Sequence, residues 1–339
     1  DYGVRLSVFQ QVGRGDIFLY EDPKDNVHIV RTDTLHFEPW ENIKTYVNVE
    51  PRVGIRYTLK PGQSLKFSYN RMVQNTHLIA SGTVPVPFNT WSPSGYYLKP
   101  QLADQFAAGY FRNFLDNTLE FSVEAYYKSM QHVTDFADNA RLFFNEDLST
   151  EFRQGDSKSY GVEFMLNKTS GRLTGMVGYT WSRTVRHIEG VNLGREFFAN
   201  YDRRNVINIT AAYEYSPKWT FGATFTYGTG RPITLPEGKY EFGDYNPDVI
   251  TERNGYRLNA YHRLDLSATL RPRARADRKW RGEWVFSLFN VYNQQNAFTI
   301  YTRTKQDDDG NIIGDGTEKE ARLIYLFPIL PSVTYNFTF

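Results

Sequence analysis

A chain of 339 residues with a formal net charge of +1 and 23% charged residues has no basic surplus to set against phosphates, so no nucleic-acid partner is expected. It contains no Cys, which excludes disulfides and thiolate metal sites, and no stretch nears the roughly 18 consecutive apolar residues of a membrane helix. That last test is blind to a barrel strand, which shows lipid only at every second residue and keeps mean hydropathy low, here −0.54, while alternating strongly.

The chain opens on strand pattern. "DYGVRLSVFQ" has no initiator Met and no basic-then-apolar leader, so the sequence reads as mature or truncated. Alternation with a period of two then recurs. It appears in "VGIRYTL" (Val53, Ile55, Tyr57, Leu59), "LKFSY" (Leu65, Phe67, Tyr69), "LEFSVEAYY" (Leu119, Phe121, Val123, Ala125, Tyr127) and "GVEFML" (Val162, Phe164, Leu166). "LTGMVGYTW", "VINITAAYEY" and "WTFGATFTYG" continue it; the last sets Trp219, Phe221, Ala223, Phe225 and Tyr227 against Thr220, Gly222, Thr224, Thr226 and Gly228. "RLDLSATLR" follows, and the chain closes on "SVTYNFTF", with Val333, Tyr335, Phe337 and Phe339 on one face.

Connection lengths alternate as well. "KPGQS", "LDN", "TSGR", "SPK" and the longer basic "RPRARADRK" are turn-like, while roughly 11–46, 75–100, 131–152, 185–203, 229–258 and 293–328 are long and polar. The count is about 12 strands, with short turns at one end and long loops at the other. That is the asymmetry of an outer-membrane barrel, with short periplasmic turns and long extracellular loops. A soluble sandwich also alternates. Three features favour the membrane: polar inward sets on consecutive strands, Tyr and Trp at the ends of apolar runs (Trp181, Tyr213, Tyr215, Trp219, Tyr227, Trp284), and the strict short–long order. Amphipathic rings at run ends suit an interfacial girdle. On this reading the terminal strand closes the ring, because unpaired backbone in lipid costs several kcal/mol per group.

Several stretches, in order, resemble the C-terminal barrel half of TonB-dependent outer-membrane receptors, in their Bacteroidetes type. They are Tyr160-Gly161-Val162-Glu163, Asp202-Arg203-Arg204, Thr229-Gly230-Arg231-Pro232, His262-Arg263-Leu264-Asp265 and Phe289-Asn290-Val291-Tyr292-Asn293. The resemblance implies nutrient uptake (a glycan, peptide or chelate) driven by the TonB complex through a plug, and recognition of Phe339 by the barrel assembly machinery. It leaves room for a surface lipoprotein lid. Such receptors have about 22 strands around a plugged lumen, whereas this chain has about 12 and no plug. It therefore reads as the C-terminal part of a larger barrel over residues 1–339; the alternative is a complete 12-stranded plugless channel or adhesin.

Catalysis has little support, and no enzyme or cofactor is expected. The six His residues are scattered, without the convergent Ser, base and orienting group that nucleophilic catalysis needs. Glu120, Glu124, Glu163, Glu214, Arg263 and Asp265 fall on polar strand faces, where a lumen network paired across neighbouring strands, or facing a plug, is expected. The loops supply the ligand candidates: Phe88, Trp91, Tyr96 and Tyr97; His187, Arg195 and Phe197; Tyr240, Tyr245, Arg253 and Tyr256. Aromatic platforms with a few polar groups suit many ligands, although rings that merely pack loops together have the same composition. "KQDDDGNIIGDGTEKE" is rich in oxygen ligands, but Ile312 stands where a calcium loop needs Gly. It reads as an Asp-Gly hairpin tip, and no metal site is expected.

Overall fold

The computed structural model describes residues 1–21, 30–79, 90–138, 140, 148–236, 238–239, 248–272, 281–307, 309–313 and 319–338. Twelve long strands follow one another as an antiparallel meander. They are β1 (Tyr2–Val12), β2 (Asn42–Lys60), β3 (Gln63–Gln74), β4 (Gln101–Phe114), β5 (Leu119–Phe136), β6 (Phe152–Lys168), β7 (Leu173–His187), β8 (Asn205–Glu214), β9 (Trp219–Gly228), β10 (Tyr261–Leu270), β11 (Arg281–Phe289) and β12 (Leu330–Thr338). A two-residue strand, Phe197–Phe198, folds back onto β7 and makes the sheet thirteen-stranded. The sheet is open: β1 and β12 are its two edges and do not pair with each other. The expected ring closure by the last strand is therefore not seen within this chain.

The short connections are tight by local chemistry. Gly62 takes φ +75° after Pro61, and the Leu115-Asp116-Asn117 turn holds three positive-φ residues, locked by the Thr118 N–H donating to Leu115 O and by Asn113 Nδ2 donating to Asn117 Oδ1. The long connections depart from expectation, for several are themselves hairpins. Gly15–Glu21 pairs with Val30–Phe37, Thr76–Ile79 with Thr90–Pro93, and Ala297–Thr304 with Lys319–Tyr325. Their apolar residues run consecutively, as in Ile17-Phe18-Leu19-Tyr20 and Leu323-Ile324-Tyr325, instead of alternating with polar ones, so no period of two marked them as strands. Strands β5 to β7 also run past the apolar stretch, because backbone pairing continues where lipid contact is no longer required.

Which way the faces point follows from exposure. On the wall, Val4 is 72% exposed, Phe106 56% and Phe337 57%, and no second sheet covers them among the described residues. An apolar face of this extent is untenable in water, where each Å² left bare forfeits about 25 cal/mol, but it is what a lipid-facing wall requires. The soluble-sandwich alternative needs these side chains packed inside, and they are not. The band has edges. Tyr69, Phe106, Tyr127 and Tyr160 form one in-register outward row, topped by Arg71 forking onto Asp104 at 2.8 Å with the Tyr69 hydroxyl donating to the same carboxylate. From Tyr127 down β5 to Leu119, about 3.4 Å per residue at roughly 40° of tilt gives on the order of 20 Å, close to a bilayer's apolar height. The opposite rim carries Trp219 stacked on Phe221 and Trp284 against Tyr335.

Candidate functional site

The inner face of the sheet is mostly polar but not uniform. Along β2 and β3 it presents Arg52, Arg56 and Lys66; along β5 and β6 it presents Glu120, Glu124 and Glu163. Glu120 accepts from Asn167 Nδ2 at 3.0 Å across the strand gap. Glu124 and Glu163 instead stand directly opposite each other, and Arg263 pairs with Asp265 along its own strand at 2.9 Å. The expectation that these charges pair across neighbouring strands therefore fails for them: register sets Glu124 beside Glu163, and Arg263 finds its partner within its own strand. Arg263 also reaches the Tyr261 hydroxyl and lies over the Phe289 ring, while Asp265 Oδ1 accepts from the Asn290 N–H. Glu214 sits exposed at the turn end of β8, opposite Thr220. From β7 to β12 the inner face is mostly short: Thr174, Ala212, Gly222, Ser267, Ser287 and Ser332 form one row across six strands. The wall there holds a hollow of about 590 Å³.

Above the band, three connections interlock into a knot that holds the buried core. Ile188, Val191 and Phe197 pack with Ala103, Met130 and Val133; Ile79, Leu98 and Phe136 form a second cluster. Through this runs a charged seam. Arg253 Nη2 donates to Asp135 Oδ1 at 2.6 Å and to Phe136 O, its backbone N–H donates to Asn192 Oδ1, and Arg186 donates to the other Asp135 oxygen. Asp202, also buried, accepts from the Thr184 N–H at 2.6 Å and pairs with Arg257. Gly230 has to be glycine here, because a Cβ would lie 1.6 Å from Leu258 O. His77 is buried with Nε2 3.1 Å from Ser94 Oγ; burial, reinforced by nearby His132, holds its pKa below the ordinary value.

The ligand candidates divide accordingly. Arg253 and Phe197, each 2% exposed, are internal to the knot and offer nothing to a ligand arriving from solution. Trp91, Tyr96, Tyr97 and Tyr256 are exposed. Tyr96 and Tyr97 meet edge to face, and the Tyr97 hydroxyl donates to Phe18 O, tying that loop to the first hairpin. Arg195 is exposed but donates to Thr251 O at 2.6 Å. His187 is exposed at the end of β7, opposite Asp156 and on the outward parity. Phe88, Tyr240, Tyr245 and Phe339 lie outside the described residues, as do Asp308 and Asp315 of the acidic tip. Asp307 there is an anchor for its own turn: Asn311, through its backbone N–H first and then its side chain, holds the carboxyl below its ordinary pKa. Among the described residues no group of three His, Asp or Glu is placed to hold a metal ion.

Sequence reasoning missed Asp135, Asn192 and Asn254, and it named Asp202 and Asn290 only as members of motifs, without a structural role. One signal was available for three of them, since Asn192, Asn254 and Asn290 all adopt φ near +55°, a conformation Asn tolerates better than most. Asn290 is 1% exposed and ties Gln294 to Phe327 O.

A family model described as TonB dependent receptor-like, beta-barrel, matches residues 20–294. Among curated proteins, none matches in sequence. Similar solved structures include the ferric-catecholate import receptor Fiu of E. coli in its closed form, at 14% identity and TM-score 0.52, covering 99% of this chain and 41% of that one. P. aeruginosa FpvA bound to heterologous pyoverdines is similar at 14% identity and TM-score 0.56, covering 90% and 34%. The ferric citrate transporter FecA, unliganded, follows at 10% and 0.51, covering 86% and 38%. The chain thus spans about two fifths or less of the length of these structures.

Proposed function

The chain belongs to the TonB-dependent receptor β-barrel family, whose barrels sit in the outer membrane of Gram-negative bacteria, and we propose that it forms the C-terminal part of a larger receptor that takes up a nutrient by TonB-driven transport. One observation carries the reading: apolar faces lie bare along the sheet while its other face is polar. Further strands pairing with β1 and β12 would relieve the unpaired edges, which lipid does not tolerate. Energy would reach the lumen from the TonB complex through a plug contributed by the rest of the receptor. By its motifs it is of the Bacteroidetes type, and the barrel assembly machinery is the expected reader of Phe339.

The knot makes a rigid platform at the outer surface, and exposed Trp91, Tyr96 and Tyr256 stand on or beside it as the remaining described ligand contacts. Of the three ligand classes weighed, a chelate has support, since the similar receptors are named for ferric catecholate, pyoverdine and ferric citrate. The family is one of transport receptors, and no catalytic role is proposed.

The test is iron uptake by cells producing the full-length receptor, supplied with ferric citrate, a ferric catecholate or ferripyoverdine, with and without TonB. Uptake of one chelate that requires TonB supports the reading. Passage that ignores TonB would instead make the protein a passive channel.

A further inference from the structure

The outward aromatic row of Tyr69, Phe106, Tyr127 and Tyr160 ends on a cation, because the residue in register with Tyr160 on β7 is Arg183. One rung further from the band, Lys158 stands on the same outer face of β6, opposite Val185. Lys158 and Arg183 are therefore diagonal neighbours, about 7–8 Å apart or less, a gap that long side chains span. Among the described residues neither has an ion-pair partner. Arg71 differs: it lies on the rung of Lys158 but is forked onto Asp104. The nearest outward acid on β6, Asp156, stands one rung further out, opposite His187. On the band side of the two cations lie Tyr160 and Trp181, ring centres 6.0 Å apart, and Arg183 is steadied by the Phe198 ring at 5.2 Å.

The wall beneath this corner has a gap. On the rung below the aromatic row the outward residues are Ile55, Phe67, Ala108, Ala125, Val162 and Trp181. Two alanines thus stand side by side, and the next rung restores bulk with Tyr110 and Val123. The result is a groove of about 530 Å³ in the outer wall, with Phe67, Tyr69, Phe106 and Tyr127 among its lining residues. Val162 stands beside Ala125 and four residues along β6 from Lys158, roughly 14 Å at strand spacing. A second pair of small residues, Ala211 beside Ala223, lies elsewhere on the wall, and the outward positions above it on β8 and β9 carry no Lys or Arg.

We propose that this corner of the wall holds one phosphorylated membrane lipid of the extracellular leaflet, its phosphate on Lys158 and Arg183 and one acyl chain seated over Ala108 and Ala125. Long basic side chains at the end of an apolar band lift their charge into the headgroup layer. There a phosphate supplies the counter-charge that the protein withholds, and the Arg183 fork suits two phosphate oxygens at once. Tyr160 and Trp181 sit where amphipathic rings meet headgroups. A soluble anion would use the cations and leave the groove bare; a neutral lipid would fill the groove and leave the cations unmatched. A phosphorylated lipid satisfies both.

The site rests on the outer-membrane reading of the wall and not on transport, so lipid retention and TonB-driven uptake can fail separately. The test is native mass spectrometry of the full-length receptor in a neutral maltoside detergent, titrated with bisphosphorylated lipid A. Wild type is expected to retain one copy. The double variant Lys158→Gln, Arg183→Gln should bind it about tenfold more weakly, as charged hydrogen bonds are lost. Ala125→Phe, which fills the groove and leaves both cations, should weaken it as well, while Ala223→Phe at the other gap leaves it unchanged. Inorganic phosphate should not displace the lipid, and phosphatidylcholine should not replace it. Heat-modifiable gel migration confirms that each barrel is folded, and Ala108→Leu serves if Ala125→Phe does not assemble. Retention that ignores either the cation variant or the filled groove overturns the site. So does an equal loss in Ala223→Phe, displacement by inorganic phosphate, or equal retention of phosphatidylcholine.

Discussion

Phe221 and Phe197 are the same side chain in opposite situations. Phe221 lies on the outer wall, 44% exposed and stacked on Trp219; Phe197 sits in the extracellular knot, 2% exposed, against Met130, Val133 and Ile188. The buried residues follow the same division, since Asp135, Asp202 and Arg253 lie in the knot beside its apolar cluster while the broad apolar faces of the wall are bare. A protein in water buries its largest apolar residues once, in a core. Here the long strands give theirs to the surroundings, and only the part above the band behaves like a soluble domain.

That contrast can be broken from either side. The largest effect is expected in the knot, where Phe197→Ala should cost about 3–5 kcal/mol as cavity formation adds to lost transfer energy. Arg253→Ala should cost a similar 3–5 kcal/mol by leaving Asp135 short of a charge partner. Both are read as faster amide hydrogen exchange across residues 185–203, with the wall strands unchanged. Phe221→Leu, by contrast, should shift folding stability by less than about 1 kcal/mol, because lipid refills the space that a core cannot. Next in size, Leu266→Arg, midway along the outward face of β10, should cost about 2–4 kcal/mol in urea titrations of folding into vesicles. Thr224→Arg, on the inner face one strand away, should be tolerated.

The smallest effect is a pH dependence confined to the knot. The pKa of His77 is lowered in the folded state by burial, so between that value and the ordinary one of 6.5 the unfolded loop binds more protons than the folded one. Stability then rises with pH: it is complete above about pH 7 and is lost as pH falls below 6.5 toward the depressed value. The Ser94 hydroxyl at 3.1 Å from Nε2, the Thr134 hydroxyl at 3.5 Å from Nδ1 and His132 on β5 are the polar groups placed against His77. Proteolysis at residues 75–79 and 90–100 should quicken on acidification in wild type and lose that dependence in His77→Gln.

Much of the wall was legible in the sequence because a period of two is a local signal, and turns such as Pro61-Gly62 punctuate it. The loop hairpins were less so, since Thr76–Ile79 and Thr90–Pro93 are four residues each, too short for a period of two to stand out. The knot was hardest. Arg253 meets Asp135 across 118 positions, and nothing near either residue announces the other, so an Arg among aromatics resembled a ligand contact. The facing of Glu124 and Glu163 depends on the register of β5 against β6, and composition alone suggested complementary pairing where the strands supply repulsion.

These 339 residues contain no Cys, so single labels introduced among them test directly which face meets hydrocarbon. Spin labels placed singly at Phe221, Leu266 and Val333, and at Thr224, Ser267 and Ser332, can be compared in reconstituted full-length receptor by collision with oxygen, which partitions into lipid, and with a water-soluble nickel chelate. The first three should relax with oxygen and ignore the chelate, and the second three should show little response to oxygen. Labels at Phe221, Leu266 and Val333 that are shielded from both, as in a packed protein interior, would contradict a lipid-facing wall.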